Sequence, residues 1–166
     1  MNRTYATVAL IAAAMSMAAC QSKAPETLPP QPASTPPPAT AAGPVPGSYA
    51  HFKSVLGGRD VIYFDTDRFN IDSQDAAALQ SQAQWLLQYS DTRATIEGHC
   101  DERGTRDYNL ALGERRANAA KNYLVSLGIP AERVSTISYG KERPVALGSN
   151  EASWARNRRA VTITIN

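Results

Sequence analysis

Five side chains capable of chemistry stand in a row in this sequence: His99, Cys100, Asp101, Glu102 and Arg103, within the stretch IEGHCDERGT. They could form a thiolate nucleophile with its imidazole, a metal site, or a holder for a charged ligand. The first requires His99 and Cys100 within hydrogen-bond reach. If a strand runs through Cys100, neighbouring side chains leave on opposite faces and no dyad forms. The other histidine, His51, lies far away beside a proline-rich segment, and no serine has an evident base. A zinc site needs three or four ligands; His99 and Asp101 supply two, and no HExxH or CxxC completes the set. His99 reads instead as a polar residue satisfied at a strand end, or as part of a pocket wall. Asp101 and Glu102 are adjacent, so they point apart rather than across a scissile bond as a hydrolase would need.

A charged ligand fits better, because of the helix downstream. The turn DERGT leads into a helix expected over Tyr108–Leu127, ended by Gly128 and Pro130. Leu112, Ala120, Leu124 and Leu127 make its apolar stripe. Arg116 falls in that stripe, and Asn109 lies one turn before Leu112 on the same side. Arg115, about 100° away, is ordinary surface. An arginine in the apolar register needs a partner or a ligand. Asp101 and Arg116 can simply pair. Held slightly apart, they would clamp a zwitterion, Asp101 on the ammonium and Arg116 on the carboxylate. Arg116→Ala is then expected to abolish ligand binding without unfolding the domain. Gly113, inside the helix, costs about 1 kcal/mol relative to alanine and suggests that something approaches the backbone there.

The elements that position these residues alternate. Asp60–Asp65 (DVIYFD) is a short β-rich run. Ser73–Tyr89 is helical, with Ala76, Leu79, Ala83 and Leu86 in register and Asp72 or Ser73 able to cap it. Ala94–His99 is a second strand, Arg133–Tyr139 a third and Ala160–Ile165 an alternating last one, with a short helix over Asn150–Asn157. The order β-α-β-α-β-(α)-β predicts an α+β fold of α/β character, a mixed sheet with helices packed on it.

The chain before this domain has another character. Residues 1–19 carry Arg3 and then an apolar run from about Val8, shorter than the ~20 residues of a spanning helix, and read as an export signal. The run ends Met17-Ala18-Ala19-Cys20, which resembles a bacterial lipobox with Met17 in place of the usual leucine. Cys20 would carry diacylglycerol and an N-linked acyl chain, an anchor worth about 0.8 kcal/mol per buried methylene. Gln21, not aspartate, comes after it, which in enterobacterial-type sorting implies the outer membrane. Nine of the 11 prolines lie between Gln21 and Gly47. Residues 20–47 are therefore expected to be a disordered, polyproline-like tether reaching on the order of 80 Å, and residues 48–166 the folded domain. With Cys20 committed to lipid, Cys100 has no disulfide partner and reads as a small buried hydrophobe. A net charge of +2 gives no general reason to expect nucleic acid or an anionic membrane surface as the partner.

The stretches IEGHCDERGT, YNLALGERRANAAKNYL, SYGKERP and NRRAV resemble the OmpA-type peptidoglycan-binding domain over about Asp60 to Ile165. A lipobox, a proline-rich tether and this domain in series are also a layout used by lipoproteins of that family. The family helix motif N-x-x-L-(S or G)-x-x-R-A reads here as Asn109, Leu112, Gly113, Arg116 and Ala117, and the family aspartate falls at Asp101. The resemblance implies binding of meso-diaminopimelate in the peptidoglycan stem peptide, whose side chain ends in an ammonium and a carboxylate on one carbon. It also implies that the loop after the first strand lines the site, with Phe64 and Asp65 as contacts, although core packing is the alternative for Phe64. Arg103 and Thr105 are further candidates beside Asp101. The family usually has alanine or threonine at the position of Cys100. Further implied are a non-catalytic role, no cofactor or metal, TolB and the Tol system as partners on an overlapping surface, and a tether between outer membrane and cell wall used in envelope integrity and cell division. A peptidoglycan hydrolase, or another OmpA-like envelope module such as a motor stator or porin tail, is the competing reading.

Overall fold

In a computed structural model, residues 43–165 are described. The export signal, Cys20 and most of the tether lie outside the described residues. The elements run in the order α1 (Tyr49–Leu56), β1 (Val61–Tyr63), α2 (Ser73–Gln88), β2 (Arg93–His99), α3 (Arg106–Ser126), a 3-10 turn at Ala131–Arg133, β3 (Val134–Gly140), α4 (Glu151–Asn157) and β4 (Arg159–Ile165). The sheet order is β1-β4-β2-β3. β4 runs antiparallel to both β1 and β2, and β3 runs parallel to β2. The expected mixed sheet is present. The last strand in sequence sits between the first two, an arrangement that local periodicity does not report.

Alternation along the strands puts one face of the sheet under the helices. Ile62, Ala94, Ile96, Val134 and Ala160 face inward and pack with Leu79, Ala83 and Leu86 of α2 and Ala117, Ala120 and Leu124 of α3. The sequence reading assigned no element to α1. Ser48 caps it through its hydroxyl, Gly57 ends it at φ 57°, and Phe52 and Leu56 are buried. Phe52 meets the Trp85 ring edge-on at 4.9 Å. Phe52 and Leu56 are four apart, so the helical register was present but short. β1 is half the length expected, because the chain turns away after the Phe64 N–H bonds the Arg158 carbonyl at 2.9 Å. α3 starts two residues early because Thr105 accepts from the Tyr108 N–H and caps it.

α3 lies almost in backbone contact with β2. A Cβ on Gly98 would overlap the Gly113 carbonyl, and one on Gly113 would overlap Ser138 Oγ. What approaches Gly113 is therefore the sheet. Two facing glycines let the helix carrying Asn109, Leu112 and Arg116 sit close enough to reach the end of β2.

Candidate functional site

Three segments converge beyond the C-terminal end of β2: the turn Cys100–Thr105, the first turns of α3, and the loop from β1 to α2. They enclose a cavity of about 230 Å³. Cys100, Asp101, Arg103, Asn109, Leu112 and Arg116 line it from the first two, and Thr66 and Asp67 from the third.

Arg116 is fully buried, at 0% exposure. Its guanidinium donates to three backbone carbonyls: Arg68 at 2.9 Å, His99 at 2.8 Å and Asp65 at 3.0 Å. It also sits 5.2 Å from the Phe64 ring centroid. No carboxylate pairs with it among the described residues. A guanidinium has five N–H donors, so two remain after the carbonyls are served. Burial lowers its pKa from the usual arginine value. Neutral carbonyls orient this cation but do not neutralise it, which makes its corner of the cavity a place for an anion.

Asp101 is buried as well. Arg103 grips it from the turn, with Nε on Oδ1 at 3.0 Å and Nη2 on Oδ2 at 2.7 Å. Arg158 approaches Oδ2 at 3.5 Å from behind. Burial alone would raise the Asp101 carboxyl; the hydrogen bonds from Arg103 and Arg158 outweigh it and hold the group below the usual carboxylate range. Asp101 and Arg116 thus share a cavity without pairing with each other.

The remaining candidates take varied places. Asn109 is buried, and its amide donates to the carbonyls of Arg103 at 2.7 Å and Thr105 at 3.0 Å, fixing the turn that carries Asp101. Leu112 contributes apolar wall. Phe64 belongs to the core, beneath the Arg116 guanidinium. The Asp65 backbone carbonyl serves Arg116, while Asp65 itself borders a neighbouring cavity of about 320 Å³. Thr105 is the cap of α3 and does not line the cavity.

Three residues went unnoticed in the sequence. Asp67 has a left-handed backbone, φ 55°, and accepts from Tyr108 Oη at 3.3 Å. It is a cavity carboxylate with no cationic partner among the described residues. Tyr108 lines the cavity too. Arg158 is buried and bonds the Phe64 carbonyl at 2.9 Å and Glu151 Oε1 at 2.6 Å, joining the segment just after β1, Asp101 and α4. The pair Arg158-Arg159 at the start of an alternating strand was the available signal, and both arginines are buried.

His99 and Cys100 diverge. The Cys100 thiol donates to the Asn109 carbonyl at 3.3 Å, and burial raises its pKa. His99 faces away, its ring 5.6 Å from that of Tyr139. The expectation that His99 is satisfied at a strand end is overturned: the ring is 2% exposed and neither nitrogen has a hydrogen-bond partner. Glu97 Oε2 lies 3.5 Å from Nε2, which would favour the imidazolium. Burial, then the positive Arg159 and Arg143, outweigh it and push the pKa down to about 3. Glu102 accepts from Trp154 Nε1 at 2.9 Å, turned away from Asp101.

Known proteins resemble this chain. The OmpA family matches residues 63–158. A peptidoglycan-associated lipoprotein of Rhizobium meliloti is 54% identical over 123 residues, covering 74% of this chain and 69% of that protein. The chain belongs to the OmpA family and, within it, to the peptidoglycan-associated lipoproteins. One from Pseudomonas aeruginosa is 46% identical over 118 residues, covering 71% of this chain and 69% of that protein. The crystal structure of the peptidoglycan-associated lipoprotein from Burkholderia pseudomallei superimposes with a TM-score of 0.62 at 46% identity, covering 63% of this chain and 89% of that one. The C-terminal domain of Helicobacter pylori MotB shares the fold at 17% identity, with a TM-score of 0.59 over 64% of this chain and 84% of that one. The OmpA-like fold expected from the sequence is therefore the fold observed.

Proposed function

We propose that this protein binds peptidoglycan non-covalently through the cavity between Asp101 and Arg116, by clasping the end of a meso-diaminopimelate side chain. The observation that carries the reading is the buried Arg116 guanidinium, which faces a cavity without a carboxylate of its own. The ligand's terminal carboxylate supplies one, and Leu112 covers the methylene stem. The ammonium on the same carbon is drawn to the carboxylates on the other side, Asp101 and the open Asp67. Lysine at the same position of a stem peptide lacks the carboxylate and leaves Arg116 unserved. Arg103 lines the same cavity, while Asn109, Phe64, Asp65 and Thr105 act by holding its walls. The relatives' names describe association with peptidoglycan, and the activity is binding rather than hydrolysis.

The envelope role comes from joining this site to the front of the chain. Acyl chains on Cys20 hold the outer membrane, the tether spans the gap, and the domain faces the periplasm and holds the wall. TolB, with the energy of the Tol system, competes for an overlapping surface and relocates the protein during envelope constriction. The support is the lipobox-like Met17–Cys20, the proline-rich segment after it, and the relatives' designation as lipoproteins.

Calorimetry on the unlipidated chain (Cys20→Ser) tests the site. A stem peptide with meso-diaminopimelate should bind and its lysine counterpart should bind far more weakly. Equal affinity for the two, or none for either, would remove the zwitterion clasp.

A further inference from the structure

Both oxygens of Asp101 are already occupied from within the protein. The Arg103 side chain closes a fork on them at 3.0 and 2.7 Å, and the Arg103 backbone N–H adds a bond to Oδ1 at 3.1 Å. A ligand ammonium that needs this carboxylate meets one already neutralised, so it must exchange with a cation. Arg158 cannot be that cation, because it is buried and tied to the Phe64 carbonyl and to Glu151. Arg103 can. Its side chain is 39% exposed, and its other partners are Thr66 Oγ1 at 3.2 Å and the Trp154 ring at 4.2 Å. The aromatic face gives the guanidinium somewhere to stay once it leaves the carboxylate.

We infer that Arg103 is an internal competitor for the ammonium subsite and thereby sets the affinity threshold that any ligand must clear. This rests on the reading of Asp101 and Arg116 as the two poles of the clasp. A ligand with only an ammonium exchanges one partly exposed ion pair at Asp101 for another and gains little there, while Asp67 draws the ammonium of either ligand alike. A ligand with a carboxylate on the same carbon also neutralises Arg116, which no carboxylate among the described residues serves. That second contact is the surplus that drives Arg103 off Asp101. Arg103 thus raises the bar for both ligands alike, and Arg116 supplies the discrimination between them.

Two measurements on the unlipidated Cys20→Ser chain decide it. In the unliganded wild type the Arg103 side-chain Nε–H should give a resolved, slowly exchanging NMR signal that Asp101→Asn abolishes. A rapidly exchanging Nε–H in the wild type would overturn the inference whatever the peptides do. Calorimetry then compares wild type, Arg103→Gln and Arg103→Lys with the meso-diaminopimelate and lysine stem peptides. Arg103→Gln should tighten binding of both peptides about fivefold, the worth of one partly exposed ion pair, and leave their ratio in place. Arg103→Lys, which keeps the cation, should bind both peptides close to the wild-type level. Loss of diaminopimelate affinity in Arg103→Gln would overturn the proposal and make Arg103 a direct ligand contact, and unchanged affinity for both peptides would overturn it too. A wild type that binds neither peptide overturns the wall-binding reading itself. The wild-type titrations alone identify that case.

Discussion

Arg116 and Asp101 line one cavity, yet each spends its hydrogen bonds elsewhere: Arg116 on the carbonyls of Asp65, Arg68 and His99, Asp101 on Arg103 and Arg158. Of the two arrangements open at the sequence level, a plain ion pair between them is not the one present. The cavity keeps a cation without a counterion on one side and a carboxylate neutralised from within on the other.

Arg116→Ala should abolish peptide binding, but it should not leave the fold untouched, contrary to what spacing alone suggested. The side chain is wholly buried and serves three carbonyls. Losing three donors at about 1 kcal/mol each, plus the space vacated, should lower stability by about 3 kcal/mol. Urea denaturation measures this. Arg116→Lys should keep the charge and part of the stability but bind weakly, since one ammonium cannot span three carbonyls and a ligand carboxylate.

Gly98→Ala should prevent the domain from folding. The new methyl would overlap the Gly113 carbonyl; its position is fixed by the β2 backbone, and the carbonyl is itself backbone that cannot step aside. A cost of about 3 kcal/mol or more is expected. Circular dichroism should show loss of the cooperative thermal transition, whereas Gly43→Ala, with open space around it, should leave that transition in place.

Acid should weaken the fold through His99. Its folded pKa of about 3 lies below the ordinary value of 6.5. Between these values the unfolded chain binds a proton that the folded protein refuses, so stability rises with pH across that window. The contribution is fully present above about pH 6.5 and is lost progressively as pH falls toward 3. Urea midpoints between pH 4.5 and 7, a range chosen above the usual carboxylate pKa values of about 4, should rise more steeply for wild type than for His99→Leu. Equal slopes would mean that the imidazole finds a partner or water on protonation.

Cys100 should behave as buried packing. The residue is 3% exposed, its thiol bonds the Asn109 carbonyl, and its pKa is raised. In the Cys20→Ser chain, a disulfide reagent at neutral pH should react slowly with the native protein and rapidly in denaturant. Rapid native reaction would show that the cavity opens to its floor.

The amino-acid sequence by itself determined the elements and the side each residue faces, because both arise from dihedral repeat along a short segment. Arg116 in the apolar register of α3, Gly113 as a site of close approach, and the alternation of the last strand were all legible this way. Its likeness to a known domain family added the ligand class. Short pieces escaped: α1 offers barely two turns, and β1 three residues. Tertiary structure alone decided that β4 enters between β1 and β2, that Arg103 rather than Arg116 holds Asp101, and that Asp67 and Arg158 reach the site at all. Which charge meets which is a distance between segments up to 57 residues apart, as for Arg158 and Asp101, and no local period encodes it. The same holds for His99, whose depressed pKa comes from desolvation and from Arg159 and Arg143 on other strands and turns.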